Sequence, residues 1–139
     1  MTCRQQQANR IVLLRLVVVT ALTGCANGHD LVRNGSLNVE RISSDRARIS
    51  TLDVRQDTEG VVVRGRLSKR YAGRSPIPGH LHIAFIDPEG GVLSHTRIRY
   101  WQLSGKSGLS EFYVQIPTEP PIESTVRVTH HSKNHPYPG

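Results

Sequence analysis

Several kinds of residue are scarce in this sequence, and their scarcity excludes several classes of protein. Among 139 residues there are two cysteines, one methionine and one tryptophan, and only 5% of the residues are aromatic. Two cysteines are too few for a disulfide-rich scaffold. The apolar run at residues 11–22 has twelve positions, one of them Arg15, whereas a transmembrane helix needs about 20 apolar residues. A polytopic membrane protein is therefore excluded, and the length suits one domain.

The sequence motifs of common catalytic sites are missing as well. There is no G-x-S-x-G or S-x-x-K motif for a serine nucleophile, and no H-E-x-x-H motif for a zinc hydrolase. Glycine loops of the P-loop or dinucleotide-binding type, which cradle phosphate groups, are also absent. The sequence therefore predicts a protein that is not an enzyme.

The amino-terminal residues have the layout of an export signal. Arg4 and Arg10 precede the apolar run, and no acidic residue occurs there. The run ends in Leu22-Thr23-Gly24-Cys25, which resembles the lipobox of bacterial lipoproteins. The resemblance implies that residues 1–24 are a cleaved signal peptide and that Cys25 carries diacylglycerol and an N-acyl chain. An ordinary cleaved signal peptide with a chance cysteine is the alternative.

The lipobox resemblance also implies a location. Lipid on Cys25 would hold the protein on a bilayer of the bacterial cell envelope, and Ala26 in place of Asp favours the outer membrane, facing the periplasm. Removing the three arginines of the leader leaves 15 basic against 11 acidic residues, a net charge of +4. This mild charge and the export signal argue against a nucleic-acid partner. We expect an envelope protein as partner, and no cofactor apart from a possible metal ion.

After the leader, short stretches of alternating apolar and polar residues recur between Pro- and Gly-rich turns. They lie at residues 37–42, 48–55, 61–67, 80–86, 92–101, 112–116 and 126–130. Irregular alternation in residues 48–55 suggests a bulge, and residues 88–91 indicate a tight reversal. The pattern predicts an all-β fold, an antiparallel β-sandwich of about seven strands. The hairpin at residues 79–94 resembles those of immunoglobulin-like or transthyretin-like domains of envelope lipoproteins.

These elements divide the chain into four parts. Residues 1–24 are the signal peptide, and residues 25–36, polar and rich in Gly, are a lipidated tether. Residues 37–131 form the predicted β-sandwich domain. Residues 132–139, which end in Pro-Tyr-Pro-Gly, are a flexible tail because that sequence cannot join a sheet interior.

Histidine is the residue most suggestive of a binding site. His80 and His82 lie two positions apart in a predicted strand, so both side chains project from one face. If the hairpin pairs as expected, His95 joins this face, and His131 has the same outward parity at the end of another strand. Such a group could hold Zn²⁺ or Cu²⁺. The alternative is a solvated face of histidines without a ligand, while His130 would be half-buried.

Two further groups have a functional and a structural interpretation. Arg64, Arg66, Arg97 and Arg99 have outward parity and, on neighbouring strands, would form a patch for phosphate or carboxylate groups. Alternatively, their long side chains cover apolar surface on a solvated face. Trp101 could stack on a sugar or a protein partner, but we expect it in the core, where a sandwich accommodates a large ring.

The expected function follows from these features. The sequence predicts a membrane-anchored periplasmic lipoprotein that acts as a non-catalytic binding or assembly accessory in the cell envelope. One alternative is a periplasmic Zn- or Cu-binding protein that uses the histidines. A second alternative is a module that binds the cell wall or lipopolysaccharide through the arginines.

Overall fold

The computed structural model describes residues 28–103 and 108–133. In these two ranges the chain forms nine strands and no helix: β1 (His29–Asp30), β2 (Leu37–Ile42), β3 (Ala47–Asp57), β4 (Gly60–Lys69), β5 (His80–Ile86), β6 (Val92–Ile98), β7 (Trp101–Gln102), β8 (Leu109–Ile116) and β9 (Ser124–His131). Consequently neither range supplies a helix long and apolar enough to span a membrane.

The strands form two sheets that pack against each other as a β-sandwich. The five-stranded sheet has the order β1-β3-β4-β8-β7, and the four-stranded sheet has the order β2-β9-β5-β6. The prediction of an all-β sandwich is thus confirmed. The prediction of purely antiparallel pairing is wrong at one place, because β2 runs parallel to β9 from Leu37↔Ser124 to Ile42↔Thr129.

The core lies between the sheets and comes from the alternation that the sequence displays. In β4, Val61, Val63 and Leu67 are fully buried, and β5 contributes Leu81, Ile83 and Phe85 in the same way. Successive side chains of a strand point to opposite faces, so one parity fills the core and the other covers the outside of each sheet. The outer faces are therefore where binding residues of these strands must lie.

Two local predictions about strand geometry are confirmed. The register between β3 and β4 shifts between Ile49 and Thr51, which is the irregularity expected in residues 48–55. Between β5 and β6 the chain reverses over residues 87–91, where the Gly91 amide donates to the Asp87 carboxylate at 2.6 Å. Gly90 has a φ of +94° in this turn, a conformation that suits glycine.

The structure changes the predicted start of the domain. Residues 28–36 are not a free tether, because β1 pairs with β3 and the Leu31 amide donates to the Val54 carbonyl at 3.0 Å. Leu31 and Val32 pack against the core. The apolar pair Leu31-Val32 explains this, since it gives the segment a face to bury. The folded domain therefore includes residues 28–36, and the part of the expected tether before residue 28 lies outside the described residues.

The segment predicted as one strand from Val92 to Trp101 is two strands in different sheets. β6 ends at Ile98 in the four-stranded sheet, and the chain then crosses to place Trp101 in β7, at the edge of the five-stranded sheet. Trp101 is 51% exposed, so its expected place in the core is wrong. Phe85 and Phe112 are the large rings buried there instead.

Candidate functional site: a histidine cluster on the four-stranded sheet

Three neighbouring strands bring four histidines to one outer face. His80 and His82 project from β5, and His131 of β9 lies directly opposite His80. His95 of β6 lies opposite Ala84, which places it diagonally beside His82 on the same face. We call these four residues the histidine cluster. Strand register alone creates it, because His95 and His131 are 15 and 51 positions from His80 along the chain and are brought beside it only through the sheet.

The four imidazole rings are in contact. His82 lies at the centre, with ring centroids 4.8 Å from His80, 4.5 Å from His131 and 4.8 Å from His95. The rings of His80 and His131 stack at 5.3 Å. Nε2 of His82 is 2.9 Å from Nε2 of His80, and Nδ1 of His82 is 3.2 Å from Nε2 of His95. The cluster is thus held by imidazole–imidazole hydrogen bonds, each of which needs one protonated and one unprotonated nitrogen.

Burial differs sharply within the cluster. His80 is only 2% exposed, so it is not the surface side chain that the solvated-face alternative requires. His82 and His131 are half-buried, and His95 is exposed. The cluster therefore has a buried end at His80 and an open end at His95. A small ion reaching it from solvent would meet His95 first.

The surroundings of His82 favour its neutral imidazole form. Burial, followed by the neighbouring imidazoles of His131 and His80, lowers the pKa of His82 to about 4. Arg97 adds a positive charge to the group, since its Nη2 lies 3.5 Å from Nδ1 of His80. Neutral imidazole is the form that binds transition metals. At neutral pH the central ring is therefore in the protonation state that metal binding requires.

The neighbouring His130 belongs to the inside of the sandwich. It is 3% exposed, more buried than the expected half-burial, and points to the face opposite that of His131. Its Nδ1 lies 2.8 Å from Ser44 Oγ, and its Nε2 lies 3.0 Å from the Tyr100 hydroxyl. Burial lowers the pKa of His130 to about 4 and raises that of Tyr100 to about 12. These groups are a hydrogen-bonded part of the core.

As it stands, the histidine cluster is arranged for hydrogen bonding and not for metal ligation. In the part of the chain that the structure describes, no three His, Cys, Asp or Glu side chains are already positioned to hold a metal ion together. Both ring nitrogens of His82 face other imidazoles, Nε2 toward His80 and Nδ1 toward His95. A metal ion would have to replace one of these hydrogen bonds. The spacing is nevertheless close to that of ligands, because tetrahedral ligand nitrogens at 2.0–2.1 Å from Zn²⁺ are about 3.3 Å apart.

The predicted arginine patch does not form as one surface. Arg64 and Arg66 lie on β4 of the five-stranded sheet, whereas Arg97 lies on β6 of the four-stranded sheet and Arg99 follows it in the crossing segment. The sequence could not show this separation, because the parity of a residue does not reveal which sheet its strand joins. Arg64 contacts Asp53 at 2.6 Å, and Arg66 contacts Glu111 at 2.8 Å. These two arginines already have anionic partners within the chain.

Other predicted functional residues lie outside the described residues. They are the lipobox with Cys25, the leader, and residues 134–139 of the tail, which include His135. The role of Arg97 beside His80 was missed by sequence reasoning, which placed Arg97 only in the arginine patch. Its signal was present in the hairpin, since Arg97 and His82 pair across β5 and β6. Comparisons with protein-family models, curated proteins and solved structures found no match to this chain.

Proposed function

We propose that the domain is a non-catalytic metal-binding module of the cell envelope, which takes up Zn²⁺ or Cu²⁺ through His82 together with two or more of His80, His95 and His131. One observation carries this proposal: four imidazoles from three strands meet on one face, with His82 in ring contact with the other three. Such a concentration of one side chain needs a reason. A shared ligand that prefers imidazole provides it.

The chemistry of the donors selects the class of metal. Imidazole suits Zn²⁺ and Cu²⁺, whereas Mg²⁺ and Ca²⁺ prefer oxygen ligands. Binding would exchange the hydrogen bonds at 2.9 and 3.2 Å for bonds to one ion, with rotation of the rings about their side-chain torsions. Arg97 is exposed, so its side chain can turn toward solvent when a cation enters. These changes involve side chains only and leave the strand pairing intact.

Thermal melts of the full-length chain in detergent test this proposal. At neutral pH, Zn²⁺ or Cu²⁺ is expected to raise the melting temperature in a saturable way, and a chelator should reverse the effect. At a hundredfold excess over the dissociation constant, binding to the folded state adds about 2.7 kcal/mol to the free energy of unfolding. Mg²⁺ at the same concentration should have no effect.

Matched variants identify the residues. The double variant His82→Gln/His95→Gln should lose the shift, and it leaves the buried His80 in place so that the fold is preserved. His29→Gln is the control, because His29 is an exposed histidine on β1 in the other sheet. A metal shift that persists in the double variant, or no shift in the unaltered chain, would overturn the proposal and leave the cluster as a structural feature.

A lipid anchor on Cys25 would place this module on a membrane. The support is the Leu22-Thr23-Gly24-Cys25 sequence after a basic, then apolar leader. Anchoring raises the effective concentration of the domain near partners in the same membrane. Mass spectrometry of the protein from a bacterial host should find a chain that begins at Cys25 with added acyl mass. The Cys25→Ser variant should lack that mass, and an unmodified Cys25 in the parent chain would rule the anchor out.

A further inference from the structure

The outer face of the five-stranded sheet carries a second feature, distinct from the histidine cluster. A groove of about 480 Å³ lies there, and its walls include Asp53, Arg64, Arg66, Trp101, Glu111 and Tyr113. We call it the aromatic groove. Its volume falls in the range of about 300–1,000 Å³ that is usual for small-ligand sites. Because the cluster lies on the other sheet, a ligand here would not compete with a metal ion there.

The strand register places the residues that line the aromatic groove in two rows across the sheet. Trp101 of β7 pairs with Glu111 of β8, and Glu111 pairs with Arg66 of β4. In the next row, Tyr113 of β8 pairs with Arg64 of β4, which in turn pairs with Asp53 of β3. The two aromatic rings therefore lie on β7 and β8 and the two arginines and Asp53 on β4 and β3, with Glu111 between Trp101 and Arg66. These residues all have the parity that faces away from the core.

The two aromatic side chains are exposed to an unusual degree. Trp101 and Tyr113 are each 51% exposed, although burying aromatic rings is strongly favourable. Trp101 and Tyr113 lie on adjacent strands in diagonal positions. Residues in such positions are separated by about 7–8 Å. Each ring combines an apolar face with a polar group at its edge. This combination suits a ligand that has apolar faces and hydroxyl groups.

The charged groups of the aromatic groove balance each other. Arg64 Nε contacts the Asp53 carboxylate at 2.6 Å, and Arg66 Nε contacts Glu111 at 2.8 Å. Burial alone would raise the pKa of Asp53, but hydrogen bonds from Arg64 and then Arg55 hold it below its usual value. The carboxylate is thus ionised at neutral pH. The two arginines and two carboxylates of the lining sum to no net charge and offer paired donors and acceptors, while Arg55 beside the groove also contacts Asp53 at 3.0 Å.

We infer that the aromatic groove binds a neutral oligosaccharide, with sugar rings stacked on Trp101 and Tyr113 and hydroxyl groups bound by the two arginine–carboxylate pairs. A hydroxyl group both donates and accepts, so it matches these pairs, and the apolar face of a sugar ring matches an aromatic ring. An anionic ligand fits less well, since the carboxylates of Asp53 and Glu111 beside the two arginines would repel it. Charge complementarity therefore selects a neutral sugar over a phosphate-bearing one.

The single tryptophan of the chain provides a direct measurement. Because Trp101 is the only tryptophan, stacking of a sugar should shift its fluorescence emission. The full-length chain, in a detergent without a sugar headgroup, is titrated with maltotetraose, cellotetraose and tetra-N-acetylchitotetraose. At least one is expected to give a saturable shift that changes little between low and high NaCl. Inorganic phosphate and a sulfated oligosaccharide serve as the anionic probes.

Variants then assign the binding to the groove. Tyr113→Ala is expected to weaken the binding by about tenfold, which corresponds to about 1.4 kcal/mol, and calorimetry should show a similar loss in Trp101→Ala. Ile122→Ala is the control, because Ile122 is 74% exposed and is not part of the groove lining. The inference is overturned if none of the three sugars binds saturably, if the anionic probes bind more tightly in a salt-sensitive way, or if Tyr113→Ala binds as the parent does.

Discussion

The two outer faces of the sandwich differ in how their charged and titratable side chains are paired. On the five-stranded sheet, Arg64 and Arg66 are each in contact with a carboxylate, at 2.6 and 2.8 Å. On the four-stranded sheet, the histidine cluster has imidazoles and Arg97 as neighbours, and the pKa of His82 falls to about 4. The first face therefore pairs its charges among its own residues, whereas on the second face burial and the neighbouring imidazoles keep the central ring of His82 neutral.

This difference indicates what each face is suited to bind. A face of paired charges gains little from adding another ion, so its exposed rings of Trp101 and Tyr113 favour an uncharged ligand. On the other face, the lowered pKa of His82 keeps the central imidazole neutral, which is the form that a metal ion requires. The same fold thereby presents two surfaces that should respond to different solution conditions.

Of the changes considered, acid is expected to lower the free energy of unfolding the most. The effect should arise in the four-stranded sheet, which contains His130. Burial lowers the pKa of His130 in the folded state from its ordinary value of 6.5 to about 4. Between these values the unfolded chain binds more protons, so the free energy of unfolding falls as pH drops from about 6.5 to about 4. The loss attributable to His130 reaches about 3 kcal/mol. Urea unfolding with a chelator at pH 7, 5.5 and 4.5 measures it.

His130→Gln tests the source of this acid sensitivity. Glutamine can keep a hydrogen bond to Ser44 or Tyr100 but does not titrate. The variant is expected to be less stable at pH 7 and to lose less stability on acidification than the parent. A variant that retains the full dependence on pH would assign the effect to other groups. The control is His29→Gln, which removes an exposed histidine from β1 of the other sheet.

Zn²⁺ is expected to bind only on the four-stranded sheet. It should change the free energy of unfolding by nearly as much as acid does, but in the stabilising direction. Stabilisation by about 2.7 kcal/mol at a hundredfold excess over the dissociation constant should come without a change in Trp101 emission, because Trp101 lies on the other sheet. Melting temperature and fluorescence are recorded on the same samples. A Zn²⁺-dependent change in emission that follows the melting shift would mean that the two faces are coupled.

The sequence predicted the faces of the strands better than the partners of the strands. β2 and β5 have the predicted bounds, and the shared face of His80 and His82 follows from a period of two. The pairing of His131 with His80 could not be derived, because it depends on which strand lies beside β5. For Trp101 and the four arginines of the predicted patch, too, the sequence did not show which sheet each residue would join. The crossing at Ile98 to Trp101 puts residues of one predicted strand into two sheets, and no local pattern marks it.

Asp53→Asn should have a smaller effect on stability and a qualitative effect on binding. It removes the carboxylate that contacts Arg64 and Arg55 at 2.6 and 3.0 Å. Because these arginines are about half exposed, the loss should stay near 1 kcal/mol or below. The groove would then carry uncompensated positive charge, so sulfated oligosaccharide should begin to bind in a salt-sensitive manner. Unfolding titrations and calorimetry measure the two effects, and unchanged anion binding would contradict the charge argument.

The smallest expected effect concerns Arg97, whose guanidinium lies 3.5 Å from Nδ1 of His80. A fixed positive charge beside a cation site opposes metal binding, and solvent screens the opposition because Arg97 is exposed. Arg97→Ala is therefore expected to tighten Zn²⁺ binding by a few-fold, most clearly at low salt, as measured by calorimetry. Arg99→Ala is the control, since Arg99 is exposed in the segment between the sheets. If Arg97→Ala weakened binding instead, Arg97 would have to be a group that positions His80.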